Sequence, residues 1–211
     1  LMHQSKQTKA NGYMTMQADL TELTAMRREY CRKARVRVTT NDFFILAMAR
    51  AVKKYPLLAA TLDETRDNLV VSGAIGVGFA VAAPQGLVVP VLHDMGSKSL
   101  IETAAESEML LAKARSNKLT PDDFDGANVV LTGLGMFGVH QFYAIAPPSA
   151  TAIVSIGMIE DAIVLKDDEM RVRKMMDVSL AYDGQIIDEF YAAGFLHYMV
   201  EQLEDPWVLT R

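Results

Sequence analysis

An alternating run, Met176-Asp177-Val178-Ser179-Leu180, leads into Ala181-Tyr182-Asp183-Gly184-Gln185-Ile186-Ile187-Asp188-Glu189 and then into Phe190-Tyr191-Ala192-Ala193-Gly194-Phe195-Leu196. Apolar residues at every second position make the first run a strand with one buried face. The apolar spacing of the last run suits a helix packed on a sheet. A strand, a tight corner and a helix in that order require a mixed α/β layer. Two carboxylates, Asp183 and Asp188, stand at the corner, where chains often place working groups.

The rest of the chain supplies further parts of such a layer. Gly12 to Asp19 reads as a strand, and Asp19-Leu20-Thr21-Glu22 as a helix start, an Asp cap with Glu three residues on. That helix runs to about Arg35, with Leu20, Leu23, Met26 and Tyr30 on one face. Thr40-Asn41-Asp42 caps a second helix, Phe43 to Tyr55, apolar on most sides and so deeply buried. Pro56 stops it. Strands are expected at Asn68 to Val71, Gly76 to Ala83 and Leu87 to Leu92, the last an edge or irregular because of Pro90. Pro84-Gln85-Gly86 is a turn. Ser99 to Asn117 is expected as the longest helix, with Glu102, Glu106 and Lys113 on its polar face. Thr120-Pro121-Asp122-Asp123 opens a helical turn, and Asn128 to Thr132 and Thr151 to Ile159 read as strands. Val164-Leu165 and Glu169 to Val172 suit a hairpin around Lys166-Asp167-Asp168, and the final helix spans about Glu189 to Leu203. With no repeat, linker or low-complexity segment, the expectation is one domain over residues 1–211.

Several function classes lose support on composition. A net charge of −5 gives no general pull towards nucleic acid or anionic membrane. The basic stretch from Arg27 to Arg37 reads as a solvated helix face. No apolar run reaches the roughly 18 residues of a spanning helix, and the start lacks a secretion signal. The single Cys31 reads as helix packing and fits a reducing, cytoplasmic compartment. Thirteen methionines in apolar runs read as core filler. His3, His93, His140 and His197 have no metal-ligand spacing. Gly133-Leu134-Gly135-Met136-Phe137-Gly138 matches the dinucleotide fingerprint by letter, but Pro147-Pro148 interrupts where its helix would run.

The corner resembles the signature Asp-His-Arg-x-x-Asp-Gly of the catalytic cores of 2-oxo acid dehydrogenase acyltransferases. Both Asp positions match, while the His is Gly184, the Arg is Gln185 and the last Gly is Glu189. Other pieces follow in order. Ser5-Lys6-Gln7-Thr8 resembles the opening motif, with Lys9-Ala10-Asn11 in place of Ile-Pro-His. Asn41-Asp42-Phe43-Phe44, Lys53-Lys54-Tyr55-Pro56 and Gly86-Leu87-Val88-Val89-Pro90-Val91-Leu92 match family segments, with His93 where Arg or Lys is common. Lys118 to Gly126 and Thr132 to Gly138 complete the series, the last closest to pyruvate-type cores.

The resemblance implies a chloramphenicol-acetyltransferase-like two-layer α/β sandwich, a mixed sheet with helices, that forms homotrimers and larger cores. It implies coenzyme A or acyl-CoA and a lipoyl acyl carrier as ligands, no metal, and other subunits of a 2-oxo acid dehydrogenase complex as partners. In the family the His base of one subunit faces a Ser or Thr of its neighbour, which donates to the oxyanion. That donor position falls on Thr132, the vacated base on Gly184, and the residue four after it on Asp188. Leu134, Gly135, Phe137, Pro90 and His93 fall along the substrate path. His140 is the candidate for a relocated base, although a lone His is more often structural or exposed. Two readings follow: a weakly active or non-catalytic assembly subunit, as in protein X, or a diverged CoA-dependent acyltransferase acting on dihydrolipoamide or a small-molecule acceptor. Pro206-Trp207-Val208-Leu209 either docks between trimers or anchors the last helix on its own subunit.

Overall fold

A computed structural model describes residues 2–63, 65, 67–166 and 169–211. The tip of the expected hairpin, Asp167-Asp168, lies outside the described residues. The chain opens with helix α1 (Met2–Thr8) and strand β1 (Asn11–Asp19). Helix α2 (Thr21–Ala34) starts without the expected capping box. Leu20 occupies the cap position because the core claims its fully buried side chain. Asp19 instead accepts from Thr21 N and Oγ1, at 3.0 and 2.5 Å. The expected solvated basic helix face is present in Arg28, Arg32 and Lys33; Arg27 is only partly exposed, and Arg35 and Arg37, although exposed, lie past the helix end. Cys31 packs against the α2 exit, its sulfur 3.3 Å from Val38 N.

Helix α3 (Thr40–Lys54) begins three residues earlier than the expected Phe43, with Thr39 as cap and Asp42 completing the box. Ten of its side chains are buried, so it is the central helix. A short 3-10 turn, Pro56–Ala59, leads to the hairpin β2 (Ala60–Leu62) and β3 (Leu69–Val71). The strand expected from Gly76 to Ala83 is two strands, β4 (Val77–Phe79) and β5 (Val81–Ala83). The next is also split, into β6 (Gly86–Val88) and β7 (Val91–Leu92). Pro90 explains both breaks: it has no N–H for the ladder, and only its carbonyl, accepting from Phe79 N at 3.0 Å, continues it. Helix α4 (Leu100–Arg115) carries a full capping box from Ser99 and Glu102.

Strands β8 (Val129–Gly133), β9 (Ala152–Ile156), β10 (Glu160–Lys166) and β11 (Glu169–Asp183) follow, then helix α5 (Glu189–Glu204). α4 and α5 are equal in length, 16 residues each, so α4 is not longest alone. The main sheet runs β1-β11-β9-β8-β4-β7, with β10 also on β11. β4, β8 and β9 are mutually parallel and the other pairs antiparallel. Alternation divides the sheet's faces. Val129, Leu131, Val154, Val178 and Leu180 join the helices in one core. Val130, Ile153 and Ala181 point the other way, under Ala146 and Ala150. At the end of the chain Pro206 and Leu209 are buried, and Arg50 Nη1 donates to Val208 O at 2.6 Å, so this tail is anchored on its own chain.

Candidate active site

β11 runs unbroken to Asp183, and the corner is built on that residue. Asp183 is buried; its carbonyl accepts from Ile186 N and Ile187 N, at 3.0 and 3.2 Å, and its Oδ1 from Gln185 N at 3.0 Å. Asp188 then caps α5, accepting from Tyr191 N at 2.7 Å. This carboxylate is satisfied by the helix's own orphan N–H. Gly184 continues the β1–β11 ladder by donating to Ala10 O at 2.7 Å.

Beside the corner is a polar cavity of about 120 Å³ lined by Lys9, Thr61, Thr151 and Asp183 among others. In the sequence Lys9 stands out only as a departure from Ile-Pro-His and carries no site signal, because an isolated lysine in a polar stretch has no periodicity. Its ammonium reaches the carbonyls of Pro147, at 2.8 Å, and Ala150. Burial depresses its pKa below the ordinary lysine value, while the charge of Asp183 pulls it up.

Thr132 is half-buried near the other end of the sheet. It faces Ser155, which faces Ser179, five residues from Gly184 along β11. At about 3.3 Å per residue and 4.8 Å per strand, Thr132 and Gly184 of one chain are roughly 20 Å apart. A site using both needs two chains. Past Thr132 no fingerprint helix follows, in line with the rejection of that motif: Gly135–Phe137 is a single 3-10 turn. Gly135 packs so closely on Gly157 O that a Cβ would lie 2.4 Å from it. Leu134, Met136 and Phe137 are exposed.

A larger cavity of about 470 Å³ lies under Met136, between α3, α4 and β4–β5. Phe79, Val81, Ala104 and Leu111 form its apolar wall, and Arg37 and Arg115 stand at its rim. Sequence reading assigned Arg37 to the solvated face and passed over Arg115. Asp42 is buried here, bonded to Thr39 and, at 2.5 Å, to Ser107 Oγ.

The two candidate histidines stand away from the corner. His140 Nδ1 lies 3.3 Å from Glu160 Oε2, both exposed, and Glu160 pairs with Met175, nine residues up β11 from Gly184. That is on the order of 30 Å within one chain. His93 Nε2 lies 3.2 Å from Asp122 O, beyond β7 at the far sheet edge. Pro90 is buried in the sheet edge and is not part of either cavity. Among the described residues no three His, Cys, Asp or Glu side chains stand together as a metal ion requires.

This mixed sheet with helices is the α/β architecture of chloramphenicol acetyltransferase, whose structure superposes with a TM-score of 0.55 at 12% identity, covering 97% of this chain and 92% of that one, a likeness of fold alone. Within that class, the chain belongs to the family 2-oxoacid dehydrogenases acyltransferase (catalytic domain), whose model matches residues 1–211. It is 31% identical over 207 residues to the dihydrolipoyllysine-residue acetyltransferase component of the Rickettsia felis pyruvate dehydrogenase complex, covering 96% of this chain and 50% of that protein. It is 30% identical over 208 residues to mouse pyruvate dehydrogenase protein X component, covering 96% and 41%. The chain therefore spans about half the length, or less, of these curated relatives. A crystallographic study of Azotobacter vinelandii dihydrolipoamide acetyltransferase gives a TM-score of 0.93 at 31% identity, covering 99% of this chain and 87% of that one. That study concerns the catalytic role of a serine, a histidine 52 residues further on and an asparagine four after that.

Proposed function

We propose that this chain is an acyltransferase core domain without the family's His base, serving as a weakly active or non-catalytic assembly subunit of a 2-oxo acid dehydrogenase-type complex. One observation carries the reading. Thr132, Gly184 and Asp188 repeat the two intervals of the Azotobacter serine, histidine and asparagine, and the middle position has no side chain. A hydroxyl remains to donate to an oxyanion, but nothing at 184 can take a proton from a thiol. General-base catalysis is typically worth 10²–10⁴-fold, so its loss weakens transfer while leaving binding and positioning.

The larger cavity suits the nucleotide end of coenzyme A: an apolar wall for the base, and Arg37 and Arg115 for phosphates. A dihydrolipoyl group is the acyl carrier this reading implies. The separation of Thr132 from Gly184 supports a homotrimer, in which one chain's hydroxyl meets its neighbour's corner. The likeness to protein X supports the assembly role and, as partners, other subunits of such a complex. Its compartment is then the cytoplasm or a mitochondrial matrix.

The test is acetyl transfer from acetyl-CoA to dihydrolipoamide by the purified protein, beside a histidine-bearing relative. The expected rate is lower by about 10²–10⁴-fold. A rate equal to the relative's, abolished by His140→Ala, would establish a diverged enzyme with a relocated base instead.

A further inference from the structure

Around the corner, residues in which this chain departs from its family's motifs tie the segment 5–10 to its surroundings. Gly184 N–H donates to Ala10 O at 2.7 Å, and Gln185 Nε2 donates to Thr8 O at 2.7 Å. Lys9 Nζ donates to Pro147 O and Ala150 O on the opposite side. Ser5, fully buried, donates from Oγ to Ala146 O at 2.5 Å. The segment 5–10 is thus fastened both to the corner and to the irregular segment covering the second face of the sheet.

Gly184 is a requirement of that arrangement. A Cβ on residue 184 would lie 2.7 Å from Ala10 O, a backbone atom that cannot rotate away. Its φ is not among the positive ones, so the carbonyl, not the backbone conformation, demands glycine. Any side chain at 184, histidine included, enters only if the 5–10 segment moves.

We propose that residues 5–10 lock the corner, placing backbone where the base would stand, and that Lys9, Ala10, Gly184 and Gln185 form one interdependent set. The lock deepens the reading of a core without a base and rests on it for its functional meaning. Its consequence is that restoring histidine at 184 alone does not rebuild the site; it releases the segment. In the lock the half-buried Lys9 ammonium is the opposite fastening, donating to the carbonyls of Pro147 and Ala150.

The test is amide hydrogen exchange, read peptide by peptide, on the purified protein and on Gly184→Ala, Gly184→His and Gln185→Ala. Gly184→Ala is expected to speed exchange in peptides covering residues 5–10 by about tenfold or more, with β8 and β9 peptides unchanged. Gly184→His is expected to do the same, and Gln185→Ala to do so more weakly. Parental protection of residues 5–10 in Gly184→Ala would overturn the proposal. So would a Gly184→His protein that gains acetyl transfer with the segment still protected. If the variants unfold globally, Lys9→Met serves in their place: it must raise exchange in the same peptides, and parental protection there overturns the lock. The parental transfer assay is separate. A fully active parent would sink the base-less reading and leave the exchange result to judge the lock.

Discussion

At the β8 end of the sheet, Leu134, Met136 and Phe137 stand in solvent above a cavity of about 470 Å³. At the β11 end, Asp183 is buried, Gly184 lies under a carbonyl, and only about 120 Å³ remains beside Lys9. The same sheet supports both ends. What differs is the covering chain. The first end is roofed by a glycine turn that packs on Gly157 and leaves its large side chains outside; the second is closed by the segment 5–10. An acyltransferase core can therefore keep a ligand-sized space at one end after its other end has been rebuilt as a joint.

The comparison breaks most readily on stability. Phe195, fully buried on α5 behind the corner, is expected to cost about 3–5 kcal/mol on replacement by Ala. Phe137→Ala at the open end is expected within about 0.5 kcal/mol of the parent. Urea unfolding of both decides it, and equal costs would mean the open end is not open. Next in size is ligand binding. Arg37→Ala is expected to weaken acetyl-CoA binding about tenfold by calorimetry, as loss of one charge-assisted contact does. Lys9→Met should leave that affinity unchanged, since Lys9 lines the other cavity. An effect of Lys9→Met equal to that of Arg37→Ala would join the two ends into one site.

Asp188 sharpens the contrast at the closed end. As a cap it should cost about 1 kcal/mol on mutation to Ala and only a few tenths to Asn, which caps as well. An Asn variant as unstable as the Ala variant would assign the carboxylate another duty. The smallest effect concerns the β2–β3 hairpin beside the polar cavity. Asp63 is held down to about 2 by hydrogen bonds from Asn68, Thr65 and Asp67. Its folded pKa lies below the ordinary 3.8, so its contribution is complete above about pH 4 and is lost as pH falls through 2. Hydrogen exchange in residues 60–71 should accelerate over that window in the parent, and Asp63→Asn should abolish the pH dependence.

Much of the fold was legible because its signals are local. The alternation before Asp183 and the proline at 90 act over a few residues, and each sits where expected, with the proline splitting two strands rather than one. The Ser99–Glu102 box is equally local but went unread, Glu102 being assigned to the polar face. The misplaced cap of α2 shows the limit: Asp19-x-x-Glu22 has the right letters, but burial of Leu20 outweighed a cap worth about 1 kcal/mol. Of the candidate site, Thr132, Gly184 and Asp188 could be named from motif spacing, whereas Lys9 and Arg115 could not.

The amino-acid sequence by itself determined the strand-corner-helix unit, the absence of a side chain at 184, and membership in the acyltransferase family, since each is written in neighbouring residues or in ordered motifs. Only the tertiary structure decided that Gly184 is held under Ala10, that Thr132 and Gly184 of one chain stay apart, and that Arg37 and Arg115 share a cavity. Those facts depend on contacts between segments as many as 174 residues apart, from Ala10 to Gly184. Local periodicity carries no information about such pairings; they are fixed by which buried faces and unsatisfied carbonyls meet when the sheet closes.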